Sequence, residues 1–142
     1  MFIKQLSVFL ENKEGRLDEV LKILSSGGID ILSVSLADTS EYGVLRMIAK
    51  EPDRARTLLK DAGFTARIDE VIAVVVPDAV GSLQKVIYKL HEADINISYI
   101  YGLSIDGKGA PIAIRASEPE RAAEILKREN VKTLTTEDLD NL

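Results

Sequence analysis

With 142 residues the chain holds one ordinary domain or two very small ones, since a unit of about 60 residues buries only about 60% of its unfolded surface. Hydrophobic residues at 46% and charged residues at 29% describe a globular chain with a real core. The longest apolar run, Val71 to Val76, is far too short for a bilayer, which takes roughly 20 residues to span. The net charge of −5 is shared as ten basic and twelve acidic residues over 1–70 and eight and eleven over 71–142, so neither half offers a basic face to nucleic acid. The lack of cysteine excludes disulfides and thiolate metal sites. No signal-peptide pattern follows Met1, and a cytoplasmic protein is expected.

In chain order, alternation at Leu6, Val8 and Leu10 predicts a first strand. Leu17, Val20, Leu21 and Leu24 then follow at i, i+3, i+4 and i+7 and predict a helix with one apolar stripe. Asp18 and Glu19 suit the positive end of its dipole, and Gly27 and Gly28 stop it. Two β-rich runs, Ile29 to Ala37 and Val44 to Ala49, are joined by Asp38-Thr39-Ser40-Glu41-Tyr42-Gly43, which reads as a hairpin connection. A second helix opens at Pro52, buries Ala55, Leu58, Leu59 and Ala62, and ends at Gly63. A strand from Phe64 to Ile68 closes the set.

The same pattern then runs again. At a constant offset of 66, Gly15 meets Gly81, Leu17 meets Leu83, Val20 meets Val86, Leu24 meets Leu90 and Ile31 meets Ile97. After one inserted residue, Pro52, Ala55 and Leu59 meet Pro119, Ala122 and Leu126. Ile105-Asp106-Gly107-Lys108-Gly109 takes the hairpin position, Ser117 and Glu120 stand at capping-box spacing before the last helix, and Val131 to Thr135 is the final strand. The order β-α-β-β-α-β, twice, is the split βαβ or ferredoxin-like unit, with both helices on one face of a four-stranded antiparallel sheet. The boundaries are 1–69 and 70–142, joined through Asp69 and Glu70 without a flexible linker, so one pseudo-symmetric body is expected. Residues 136–142 read as a short acidic tail.

Catalytic chemistry finds little support. His91, the one histidine, flanks a helix stripe with no serine or acid pattern nearby, and no His-x-x-x-His spacing suggests a metal. Carboxylate pairs such as Asp18/Glu19 fit a solvated helix face. RNA-recognition domains share the element order but carry basic and aromatic residues on strand three, where this chain has Gly43-Val-Leu-Arg-Met-Ile-Ala49 and Ala110-Pro-Ile-Ala-Ile-Arg-Ala116. What remains is the turn between strand one and helix one. A helix start presents unpaired N–H groups that can take a carboxylate where glycine lets it approach. In Glu11-Asn-Lys-Glu-Gly-Arg16, Asn12 offers a donor and an acceptor, Glu11 or Glu14 could hold an ammonium group, and Lys13 or Arg16 could assist a carboxylate, which suits a zwitterion. Pro77-Asp-Ala-Val-Gly-Ser82 offers one acid and one hydroxyl.

Phe9-Leu-Glu-Asn-Lys-Glu-Gly-Arg-Leu17, an amphipathic helix and Gly28-Ile-Asp-Ile31 together resemble the ACT domain signature, an Asp/Asn-x-x-Gly-x-Leu turn followed by an Ile-x-Ile strand. Val76-Pro-Asp-Ala-Val-Gly-Ser-Leu83 with Ala93-Asp-Ile-Asn-Ile97 repeats it, and the whole is similar to small stand-alone tandem ACT proteins. Glu14 and Val80 depart from the signature by standing where proline is frequent. The resemblance implies an α+β chain of two ferredoxin-like units packed side by side through their second strands, giving an eight-stranded antiparallel sheet with helices on one face. It implies a regulatory protein that is not an enzyme, needs no cofactor or metal, binds a free amino acid at the seam between units, forms a homodimer and can act on a regulated enzyme. Carried onto this chain, Asn12, Glu14, Gly15, Arg16 and Leu17 would face Ser98, Tyr99, Ile100 and Tyr101. Asp78, Gly81, Ser82 and Leu83 would face Ser33, Val34 and Ser35. The first set is the more polar, and its tyrosines could pack on a ligand and donate a hydrogen bond. The alternative is a pairing module that assembles with itself or an enzyme and holds no ligand.

Overall fold

The apolar stripe that opens each repeat is the buried face of a helix that starts on a left-handed glycine. The computed structural model describes residues 1–38, 41–107 and 109–142. Thr39, Ser40 and Lys108, parts of the two predicted hairpin connections, lie outside the described residues. The elements are β1 (Phe2–Glu11), α1 (Arg16–Ser26), β2 (Ile31–Asp38), β3 (Tyr42–Ala49), α2 (Pro52–Asp61), β4 (Thr65–Val76), α3 (Ser82–Glu92), β5 (Ile97–Gly102), β6 (Ala110–Ala116), α4 (Pro119–Arg128) and α5 (Thr136–Asp140). The chain divides into two units, Lys4–Asp69 and Met1–Ile3 with Glu70–Leu142.

In the unit Lys4–Asp69, β1 pairs antiparallel with β3 from Leu6 opposite Met47 to Glu11 opposite Tyr42, and β2 pairs antiparallel with β3. Leu6, Val8 and Leu10 of β1, Val20 and Leu24 of α1, Ala55 and Leu59 of α2 and Ala66 of β4 form one buried core. Gly28, at φ +72°, ends α1, and the N–H of Ile29 returns to the carbonyl of Leu24, the left-handed closure that glycine makes easy. β1 also buries its other face. Gln5 and Ser7 are almost fully enclosed; the Gln5 amide donates to Ser7 Oγ at 2.9 Å, and Ser7 donates to Asp69 at 2.8 Å. Each polar atom thereby gains the partner that burial demands.

The unit formed by Met1–Ile3 and Glu70–Leu142 repeats this plan. β4 pairs antiparallel with β6 from Ile72 opposite Ile114 to Val76 opposite Ala110, and β5 pairs with β6. Ile72, Val74, Val86, Leu90, Ala122 and Leu126 make its core, and Phe2 packs against it. The repeat extends to backbone detail. Gly15 and Gly81 sit at φ +83° and +84°, Gly28 and Asp94 at +72° and +57°, and Gly63 and Asn130 at +89° and +58°. A register irregularity between Ile31 and Ser33 recurs between Ile97 and Tyr99.

Three expectations are corrected. Among the described residues the sheet has six strands in the order β2-β3-β1-β4-β6-β5, and they form no eight-stranded sheet joined through the second strands. Two strands are lost for separate reasons. The predicted strands 64–68 and 72–76 are one strand, β4, because Asp69 is held in line by Ser7 and by Arg67 Nε at 3.1 Å and makes no turn. The predicted last strand reduces to a single bridge, Thr133 opposite Val74, because Thr135 already caps a helix. The supposed tail is that helix, α5, with Leu139 buried and a capping box in which Asp138 N–H donates to Thr135 Oγ and Thr135 N–H to the Asp138 carboxylate. Ser117 makes no capping box: α4 has Glu118 as its N-cap, and Ser117 Oγ accepts from the Asn96 N–H at 3.2 Å. Thr135→Ala is expected to cost about 1 kcal/mol. Thermal unfolding should register this as a drop of about 4 °C.

Candidate functional site

Both predicted turns fold alike, and in both the glycine is required by its own backbone. After β1, the Lys13 N–H donates to the Glu11 carbonyl at 2.8 Å and Arg16 N–H to the Lys13 carbonyl at 3.3 Å. After β4, Ala79 N–H donates to the Pro77 carbonyl at 2.9 Å and Ser82 N–H to the Ala79 carbonyl at 3.2 Å. Gly15 and Gly81 are the N-caps of α1 and α3, both left-handed and without a side-chain cap. A Cβ on either would meet nothing within 4 Å, so conformation and not crowding selects glycine. The N–H groups of Leu17 and Asp18, and those of Leu83 and Gln84, consequently have no protein partner among the described residues. Such groups at the positive end of an 11-residue helix can accept an anion.

The side chains around the turns are unequal. Asn12 and Glu14 are exposed, and Asn12 N–H anchors the first turn by donating to the Glu41 carbonyl at 2.9 Å. Arg16 is two-thirds covered and engaged with Glu19 at 3.1 Å and Glu11 at 3.9 Å. Leu17 packs against the unit's core, which anchors the turn and removes Leu17 from a polar contact role. In the second unit, Asp78 and Ser82 line one groove, shared with Lys85 and Lys132. Reasoning from motifs missed both lysines; the signal for them lies in how the two repeats differ, not in either alone.

On β5, Ser98 is exposed at the strand irregularity, while Tyr99 and Tyr101 are half-buried with rings stacked 6.4 Å apart at 24°. Ser33 is buried on β2, and Val34 beside it is exposed. The first-turn residues belong to one unit and the tyrosines to the other. His91 is exposed on α3, 6.2 Å from the ring of Tyr88. Among the described residues no three His, Cys, Asp or Glu side chains cluster to hold a metal ion. Among the described residues no helix is long and apolar enough to cross a membrane. The Asp53 carboxyl is held below the usual carboxylate range by a hydrogen bond from Lys4, and it stands on α2, outside both turns.

Comparison with known proteins agrees with this architecture. The sequence matches the family model described as an ACT domain pair over residues 1–142. The crystal structure of protein BT0572 from Bacteroides thetaiotaomicron is similar at a TM-score of 0.91 and 37% identity, covering 100% of this chain and 98% of that one. The ligand-free regulatory subunit of aspartate kinase from Thermus thermophilus shares the fold at a TM-score of 0.62 and 14% identity, over 89% of this chain and 90% of that one. Escherichia coli aspartokinase III in complex with lysine and aspartate shares it at a TM-score of 0.51 and 18% identity, over 89% of this chain and 30% of that one. No curated protein matches the sequence. Two glycine-opened βαβ turns at equivalent places, a doubled core and a family match along the full 142 residues make this chain a member of the ACT domain-pair family.

Proposed function

We propose that the protein is a non-enzymatic, cytoplasmic regulator that binds a free amino acid and passes its occupancy to a partner enzyme. The observation that carries this reading is the uncapped start of α1 in an ACT pair: Gly15 leaves two N–H groups open, with Asn12, Glu14 and Arg16 around them. An amino acid carries the carboxylate those groups can accept and the ammonium that Glu14 can take. Fold relatives include aspartokinase III in complex with lysine and aspartate, which supports a free amino acid as the ligand class. β2 and β5 are the end strands of the sheet, so the strand that completes a site is supplied by a second copy in a homodimer. There Ser98, Tyr99 and Tyr101 of β5 would meet the first turn of the neighbouring copy, while Asp78, Gly81 and Ser82 would meet Ser33, Val34 and Ser35 of its β2. Occupancy acts only if the ligand prefers one state of the complex over another.

Exposed Val34 and Leu36 on β2 and Ile100 on β5 favour assembly at the same edges, and this supports the second reading, a pairing module without ligand. A thermal-shift screen against the common amino acids separates the two. Ligand at about 100 times its dissociation constant should add about 2.7 kcal/mol to stability, whereas the pairing module predicts no shift with any of them. Light scattering should give twice the 15.6 kDa chain mass under either reading, and a monomer would remove the proposed seam.

A further inference from the structure

The two repeats carry grooves lined by equivalent positions, and the second is nearly three times the larger. In the first unit the groove measures about 290 Å³ and is lined by Phe9, Arg16, Tyr42 and Phe64. At the equivalent positions the second unit has Val75, Ser82, Gly109 and Val131, and its groove measures about 840 Å³. Four large side chains are replaced by small ones at once, and the space they would fill is left accessible. A well-packed repeat has no structural need for such a hollow, since each lost contact weakens the core around it.

The charge changes sign with the volume. Glu11 and Glu19 at the first groove are replaced by Pro77 and Lys85, and Thr65 by Lys132. Lys89 is already committed to Glu129 at 3.6 Å. Lys85 and Lys132 form no ion pair among the described residues, and Asp78 is the remaining acid on the rim. The floor is apolar: Val76 and Val86 are buried, with Val75 and Val131 half-buried beside them. An apolar floor with a few convergent polar groups at its mouth is the usual form of a small-molecule site.

We infer that the second unit contains, within itself, a binding site for a small organic carboxylate with an aliphatic or aromatic body. The body lies on the valine floor, and the carboxylate is held by the ammonium groups of Lys85 and Lys132 with Ser82 Oγ as a further donor. This goes beyond the amino-acid reading, because the site takes no residue from a second copy and requires no ammonium group on its ligand.

Calorimetric titration of the full chain with 4-phenylbutyrate and with octanoate tests the inference, using 4-phenylbutan-1-ol as the uncharged analogue. Saturable binding of an acid at one site per chain is expected, with the alcohol about tenfold weaker or more. Restoring the first repeat's charges in Lys85→Glu/Lys132→Thr alters only exposed positions, so folding should be kept while acid affinity falls about tenfold or more. Val131→Phe, which restores the first repeat's aromatic residue, should remove binding of acid and alcohol alike. The inference is overturned if neither acid binds at millimolar concentration, if acid and alcohol bind equally, or if the double lysine variant binds as the parent does. Unchanged amino-acid shifts in that variant would show that the two sites are separate.

Discussion

Leu24→Ala is expected to lower the unfolding free energy by about 3 kcal/mol, read as a fall in the urea midpoint at unchanged slope. Leu24 is fully buried in the first unit's core, on the stripe that α1 turns inward. Removing its branched end forfeits both transfer free energy and packing contacts, because the helix is fixed at its start by Gly15 and at its end by Gly28. A loss of that size is a large share of a typical total of about 5–15 kcal/mol. Lys22→Ala, exposed on the same helix, should stay within about 0.5 kcal/mol. If the two variants lose similar amounts, the buried stripe is not what holds α1 in place.

For ligand binding, the largest effect is expected at Gly15. Both Gly15→Asn and Gly15→Asp place a side chain in the left-handed conformation at φ +83°, which these two residues tolerate better than others. They share nearly the same strain and shape and differ in charge. Gly15→Asp should therefore abolish the thermal shift given by the bound amino acid, by setting a carboxylate against the ligand's own, while Gly15→Asn retains part of it. Gly81→Asp should matter less if the first turn is the site. The opposite ranking would move the amino acid to the turn of the second unit.

The elements were legible where local pattern suffices. Val20 and Leu24 and their counterparts Val86 and Leu90 lie buried as read, while Leu17 is half-buried and Leu83 exposed, and the β-α-β-β-α-β order recurs down to matched left-handed residues. What escaped depends on partners distant in sequence. Asp69 and Glu70 read as a short junction between two strands until Ser7, 62 residues before Asp69, supplies the hydrogen bond that keeps one strand running. Ser117 and Glu120 have capping-box spacing, yet the hydroxyl of Ser117 is taken by Asn96, 21 residues away. At Thr135 and Asp138 the same spacing does cap, but only Leu139 marks α5 as amphipathic, and one apolar residue sets no period. The glycine turns were visible from one repeat. The larger groove was not, because valine in place of phenylalanine is unremarkable until the two copies are compared position by position.

The single strand β4 gives the chain a parity rule. Ala66 and Ile68 enter one core, and Ile72, Val74 and Val76 enter the other; every one of these positions is even. With a side-chain period of two, one residue inserted after Asp69 would turn Ile72, Val74 and Val76 to the opposite face of the strand, whereas two residues would restore their direction. An even-length insertion at this junction thus keeps the direction of these side chains along the strand, and an odd-length one reverses it.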